Sequence, residues 1–97
     1  MNKTYSVYII TNKKNGTLYI GFSSTLKKRI YQHKHKLVDG FSREHGLDKL
    51  VYYEGTEDVN AAIAHEKQIK KWKRQWKINA INKFNPDWKD LYDDLED

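Results

Sequence analysis

Glu66 stands where a carboxylate is out of place. From Val59 to Trp76 the sequence has the period of an amphipathic helix, with Val59, Ala62, Ile63, Ile69, Lys73 and Trp76 along one side. At about 100° per residue, Glu66 falls between Ala62 and Ile63, in the middle of that apolar stripe. An ionised carboxylate buried without a partner is strongly disfavoured, so it must meet a cation or bind a metal. The same placement also suits an ion pair with an arginine that only orders the core. Four more polar groups share this inward aim. Tyr8 and Tyr19 lie on one face of a hairpin turning about Asn15-Gly16, in either short even-numbered loop. Two phenols there can orient a water and a phosphate, or can simply pack. Arg29 and His33 are one turn apart on the next helix, His33 within a stripe of Leu26, Ile30 and Leu37 and Arg29 at its edge. These are the groups that phosphodiester hydrolysis requires. A cation stabilises charge on the phosphate, a carboxylate holds a divalent metal, and a phenol or imidazole positions or deprotonates water. No Gly-rich phosphate cradle, serine–histidine–acid arrangement or multi-histidine metal spacing competes, and His35, His45 and His65 form no ligand pattern.

The elements that must position these groups follow from local pattern. Tyr5 to Thr11, rich in β-branched and aromatic residues, reads as a strand. Asn12 to Gly16 is a turn, and Thr17 to Phe22 is the returning strand. Ser23, Ser24 and Thr25 offer capping hydroxyls for a helix running to about Lys36 and closed by Asp39-Gly40. Phe41 to Asp48 reads as an irregular connection, and Lys49 to Glu54 as a third strand. Thr56 to Asp58 starts the long Val59 helix, a shorter helix covers Lys77 to Phe84, and Asn85-Pro86 stops it. A three-stranded sheet in β-β-α-β-α-α order, with the helices packed on it, is an α/β (α+β) layered domain.

Ninety-seven residues make one small domain with a modest core, in which the aromatic residues supply much of the buried area. With no cysteine, disulfide scaffolds and thiolate zinc sites are excluded. No apolar run reaches membrane-spanning length and the N-terminus lacks the core of a signal peptide, so a soluble cytoplasmic protein is expected. Charge is unevenly spread. Up to Pro86, 17 basic residues face 7 acidic ones, a net +10, whereas the remainder carries six acids against Lys89. A basic body suits a polyanion, through phosphate contacts and counterion release, although a merely lysine-rich surface would look the same. The acidic end is expected to be a solvated tail or a cover over part of that surface. Lys67, Lys70, Lys71, Lys73, Arg74 and Lys77, interleaved with Trp72 and Trp76, are the densest basic stretch. Lys27, Lys28, Lys34 and Lys36 add a second patch. The two tryptophans are expected in the core.

Ser6-Val7-Tyr8, followed by Tyr19-Ile20-Gly21, resembles the two-part signature of the GIY-YIG endonuclease superfamily. Arg29, His33, Glu66 and Asn85 stand where that family keeps its remaining active-site residues, and the match runs from about Thr4 to Leu91. Gly16 to Gly21 and Asn85 to Trp88 resemble the small single-domain bacterial members. The resemblance implies a nuclease-like domain over residues 1–91, with 92–97 as an acidic tail. It implies cleavage of one phosphodiester bond by an activated water, with magnesium or manganese held by Glu66 alone. Tyr8 and Tyr19 would share the roles of general base and water orientation, and Arg29 would contact the scissile phosphate. His33 would assist proton transfer or bind phosphate, and Asn85 would give a supporting hydrogen bond. Lys27, Lys28, Lys67, Lys70, Lys71, Lys73 and Arg74 would bind nucleic acid. DNA is the expected partner, in branched, nicked or single-stranded form, with RNA not excluded; sequence specificity would be low or supplied by a protein partner. Two departures stand out. Ser6-Val7 replaces Gly-Ile, and Phe22 occupies a position where excision-repair relatives carry lysine, which weakens the case for vigorous activity and for repair-type substrates, although DNA repair or recombination stays within what the resemblance implies. Two other readings stay open: a nucleic-acid-binding module of this fold without turnover, and an interaction domain whose inward polar groups form a structural network.

Overall fold

The computed structural model describes residues 3–96. Strand β1 (Tyr5–Thr11) is central, with β2 (Leu18–Ser23) and β3 (Lys49–Thr56) antiparallel on either side. From Ser6 to Thr11 every residue of β1 is buried, because both sheet faces are covered. That is why Val7 to Ile10 reads as a continuous apolar run rather than an alternation. Val7 and Ile9 face helices α3 (Val59–Lys71) and α4 (Arg74–Phe84), packing with Ile20, Val51, Ala62, Ile69 and Ile81. Tyr8 and Ile10 face α1 (Leu26–Lys34) and the chain's last described segment, with Ile30, Leu47, Leu50, Leu91, Tyr92 and Leu95. The expected α+β class and element order hold.

The hairpin adopts the wider of the two expected registers, pairing Tyr8 with Gly21 and Ile10 with Tyr19. Asn15 takes a left-handed φ of 58°, and the Asn12 side-chain oxygen accepts from the Thr17 N–H at 3.0 Å. The β1–β3 pairing slips between Ile9 and Ile10, so Val51 is an extra, bulged residue. Its carbonyl accepts from the Asn85 amide at 3.2 Å. Beside it, the Leu50 N–H donates to Asp90 (3.2 Å), and the Leu50 carbonyl accepts from the Leu91 N–H (2.8 Å). The outer edge of β3 is thereby covered at the bulge.

Several expectations are corrected. The long helix does not reach Trp76: Trp72 and Lys73 are both extended, with ψ of 146° and 148°, and α4 begins at Arg74 rather than Lys77. No glycine or proline causes this break. Trp72 packs against the first core cluster, and Arg74 donates to the carbonyls of Asn15 and Gly16 at 2.7 and 2.6 Å, so tertiary contacts turn the chain. Beyond the break, Trp76 is 56 % exposed instead of lying in the core, and at the first residue of α3 Val59 is exposed as well. Helix α1 ends at Lys34, before the left-handed Lys36 (φ 57°), which leaves Leu37 outside the helix and in solvent. Thr25 precedes α1 but makes no side-chain cap, whereas the Asp58 carboxylate caps α3 through the N–H groups of Asn60 and Ala61. The stretch expected to be irregular contains a short helix, α2 (Phe41–Glu44), and β3 runs on to Thr56.

The acidic end lies on α1. Asp90 is ion-paired with Lys34, the Lys27 ammonium donates to the Leu95 carbonyl at 3.2 Å, and both lysines lie over the Tyr92 ring. Among the described residues, no helix is long and apolar enough to cross a membrane.

Candidate active site

Strand β1 carries Tyr8 on the α1 face, 1 % exposed, directly opposite Gly21 on β2. The far end of the Tyr8 ring lies over Gly21. A Cβ built there would sit 2.6 Å from Tyr8 Cε1 and closer still to its hydroxyl. Glycine at this position is therefore a gap through which the phenol crosses the neighbouring strand. Tyr19, on the same face, is only partly buried.

Beyond the phenol lies His33, 4 % exposed, on the last turn of α1. Its Nε2 is 2.9 Å from the Tyr8 hydroxyl and its Nδ1 is 3.1 Å from the Ser42 hydroxyl on α2. The Tyr8 and Tyr19 rings both meet the imidazole edge-on, with centroids at 5.7 and 5.8 Å. Burial, reinforced by the Arg29 guanidinium, pulls the His33 pKa below the ordinary histidine value, so the ring is neutral at neutral pH. The Tyr8 pKa moves the other way. Burial raises it most, the Tyr19 and Glu66 oxygens raise it further, and Arg29 pulls it down. Those interactions bring Tyr19, Arg29 and Glu66 within electrostatic reach of one phenol, though they come from β2, α1 and α3.

Arg29 sits one turn before His33, and its buried Nε–H has no hydrogen-bond partner among the described residues. A buried donor left unmet is uncommon and costs about 1–3 kcal/mol, so Arg29 has hydrogen-bonding capacity that the described residues do not use. The Glu66 side chain is 19 % exposed and meets Lys70 at 3.4 Å, one turn along α3. Among the described residues no arginine pairs with it. Among the described residues, no three metal-binding side chains cluster. A single, partly exposed carboxylate fits a hard cation that keeps most of its waters and takes remaining oxygens from a substrate, as magnesium does. It does not fit a dehydrated structural metal site.

The other sequence candidates divide. Asn85 is buried, and its amide is held by backbone: it donates to the carbonyls of Val51 and Lys89, and its oxygen accepts from the Lys89 N–H. Arg74 is occupied by the hairpin turn, and Lys27 by the Leu95 carbonyl. Lys28, Lys67, Lys70, Lys71 and Lys73 are exposed. Phe22 stacks on Tyr5, with ring centroids 6.0 Å apart. A cavity of about 560 Å³ opens at the start of α1, but none of Tyr8, Tyr19, Arg29, His33 or Glu66 lines it. Ser42 escaped the sequence reading, because a serine in a stretch without period carries no signal. The place of Gly21 was implicit in the register, which sets residue 21 opposite Tyr8 once the wider loop is chosen.

Comparison with known proteins bears on the family and the fold. The family model for the GIY-YIG catalytic domain matches residues 4–79. A UPF0213 protein of Clostridium perfringens is 37 % identical over 76 residues, covering 78 % of this chain and 81 % of that one. Another, from Staphylococcus saprophyticus, is 32 % identical over 82 residues, covering 84 % and 98 %. The solution NMR structure of a UPF0213 protein from Bacillus halodurans superposes with a TM-score of 0.51 at 24 % identity, covering 81 % of this chain and 83 % of that chain, a likeness of fold.

Proposed function

We propose, from the premise that this chain belongs to the GIY-YIG family, that it is an endonuclease hydrolysing phosphodiester bonds in DNA with the help of a divalent cation. The observation that carries this reading is the unmet Arg29 Nε–H, buried beside a phenol that also feels the Glu66 carboxylate. An anionic oxygen of a phosphodiester is the acceptor that such a donor lacks.

Tyr8, Tyr19, Arg29 and Glu66 touch the reacting atoms in this reading. Glu66 holds the magnesium or manganese ion, which when bound neutralises charge on the phosphate and leaving oxygens. Arg29 donates to a non-bridging oxygen and fixes the phosphorus relative to the phenol. Tyr19, nearer the surface, orients the attacking water. Tyr8 receives a proton from that water while passing its own to His33 Nε2 at 2.9 Å. The water oxygen forms its bond to phosphorus as the bond to the leaving oxygen breaks. Solvent protonates the leaving alkoxide, and the imidazolium returns its proton through Tyr8. With the pKa of Tyr8 raised and that of His33 lowered, a standing phenolate–imidazolium pair is disfavoured. Tyr8 therefore passes a proton and does not store a charge. Asn85 acts at a distance, holding the β3 bulge. The exposed lysines of α1 and α3 supply phosphate contacts without reading base edges, which implies low sequence specificity.

The same electrostatics favour a second reading, a module that binds nucleic acid without turnover, since they hold the phenol protonated. Incubating labelled duplex, nicked, branched and single-stranded DNA, and RNA, with magnesium or manganese separates the two. Glu66→Gln is expected to lose cleavage by about 100-fold or more while keeping affinity within a few-fold. The same products at equal rates from both proteins would sink the nuclease reading.

A further inference from the structure

We infer that Ser42 is a positioning residue for the proton relay: its hydroxyl holds His33 in the tautomer that carries hydrogen on Nδ1, leaving Nε2 free to accept from Tyr8. This rests on the nuclease reading for its catalytic consequence, but the tautomer itself is a property of the resting protein. Three side chains from three elements form one buried line, the Tyr8 hydroxyl of β1, the imidazole of α1 and the Ser42 hydroxyl of α2. Ser42 is 3 % exposed, so water does not compete at its end of the line.

A neutral imidazole has one N–H and one lone pair, and the partner of one nitrogen decides the state of the other. Two arrangements satisfy both contacts. In the first, Tyr8 donates to Nε2 and the Nδ1–H donates to Ser42. In the second, Ser42 donates to Nδ1 and the Nε2–H donates to Tyr8. Each leaves one hydroxyl proton over. Acidity separates them. A phenol, which ionises near pH 10, is a far better donor than an aliphatic alcohol, and its oxygen, conjugated with the ring, is a poorer acceptor. The first arrangement therefore puts the better donor against the imidazole lone pair and the better acceptor against its N–H. Only this arrangement lets Tyr8 hand a proton to His33. When it does, the resulting imidazolium keeps its Nδ1–H bond to Ser42, so the hydroxyl supports the charged state as well. Tyr8 and Tyr19 meet the ring from the sheet, Arg29 flanks it on α1, and α2 contributes the serine hydroxyl. Helix α2, four residues long, thus gives the connection between α1 and β3 a chemical task.

The test measures the ring nitrogens of His33 by 15N NMR in the wild type, Ser42→Ala and Ser42→Thr, alongside kcat and KM for cleavage with magnesium or manganese. The expected result is an Nδ1–H, Nε2-unprotonated ring in the wild type that shifts toward Nε2–H in Ser42→Ala. It goes with a kcat loss of about 10–100-fold, little change in KM, and recovery in Ser42→Thr, which keeps a hydroxyl. An Nε2–H ring in the wild type, or an unchanged ring and kcat in a folded Ser42→Ala, would overturn the role of Ser42; the first would also remove the Tyr8-to-His33 proton step, while neither touches hydrolysis itself, which rests on Glu66→Gln. Should Ser42→Ala not fold, the wild-type ring and Ser42→Thr still decide. Failure of the nuclease reading is separately visible, as cleavage unaffected by Glu66→Gln.

Discussion

Arg29 and His33 share one turn of α1, yet they bear opposite relations to stability. The Arg29 Nε–H is an unmet donor in the free protein, so removing it relieves the fold. Arg29→Met keeps the aliphatic stem and should raise thermal stability by about 1 kcal/mol, while cleavage falls below detection. A midpoint unchanged or lowered in a melting experiment would show that the nitrogen is satisfied in solution. His33 must be neutral to accept a proton, and its pKa in the folded chain lies below the ordinary value of about 6.5. Cleavage should therefore be flat above that pH and fall only at more acid values. Stability follows the same sign. The unfolded chain takes up the proton first as pH falls, so the folded state begins to lose ground near pH 6.5 and the loss is complete below the folded pKa. A pH–rate profile whose acid limb is centred at or above 6.5 would contradict the assignment of this limb to His33.

At the scale of elements, the sequence was legible wherever local preference and tertiary need agree. Tyr5 to Thr11 is rich in β-branched and aromatic residues and lies between two strands, so its bounds are read to the residue. Asp58 is both a favoured cap and the observed one. The α3–α4 elbow was illegible, because Trp72 and Lys73 are acceptable helix residues and what unwinds them is distant: a core seat for the indole and two turn carbonyls for Arg74. Arg74 had been grouped with the lysines on charge alone. Arg74→Ala should cost about 1 kcal/mol in urea denaturation, by freeing the hairpin turn, and should leave the salt dependence of DNA binding unchanged. Of the candidate site, Glu66 and His33 were legible because each interrupts an apolar stripe, Arg29 from the edge of the same stripe as His33, and Tyr8 and Tyr19 from the parity of the hairpin register. Ser42 was not, since it interrupts none.

For the whole molecule, charge and shape act together. Tyr19, Arg29 and Glu66 are each partly exposed, whereas the 560 Å³ cavity is walled by other residues. A partly exposed site with exposed lysines on both α1 and α3 suits a long polyanion better than a small molecule. Affinity should fall steeply with salt, and Lys71→Ala should lessen the slope of log K against log salt by about one, where Arg74→Ala does not. Equal slopes for the wild type and Lys71→Ala in titrations would place the nucleic acid elsewhere.

Leu91, Tyr92 and Leu95 belong to the apolar bed on which Tyr8 rests, and Asp90 and Leu91 seal the strand edge at Leu50. These residues emerge from the ribosome after every strand and long helix of the domain. The phenol's apolar surroundings are thus completed only once synthesis has passed this segment.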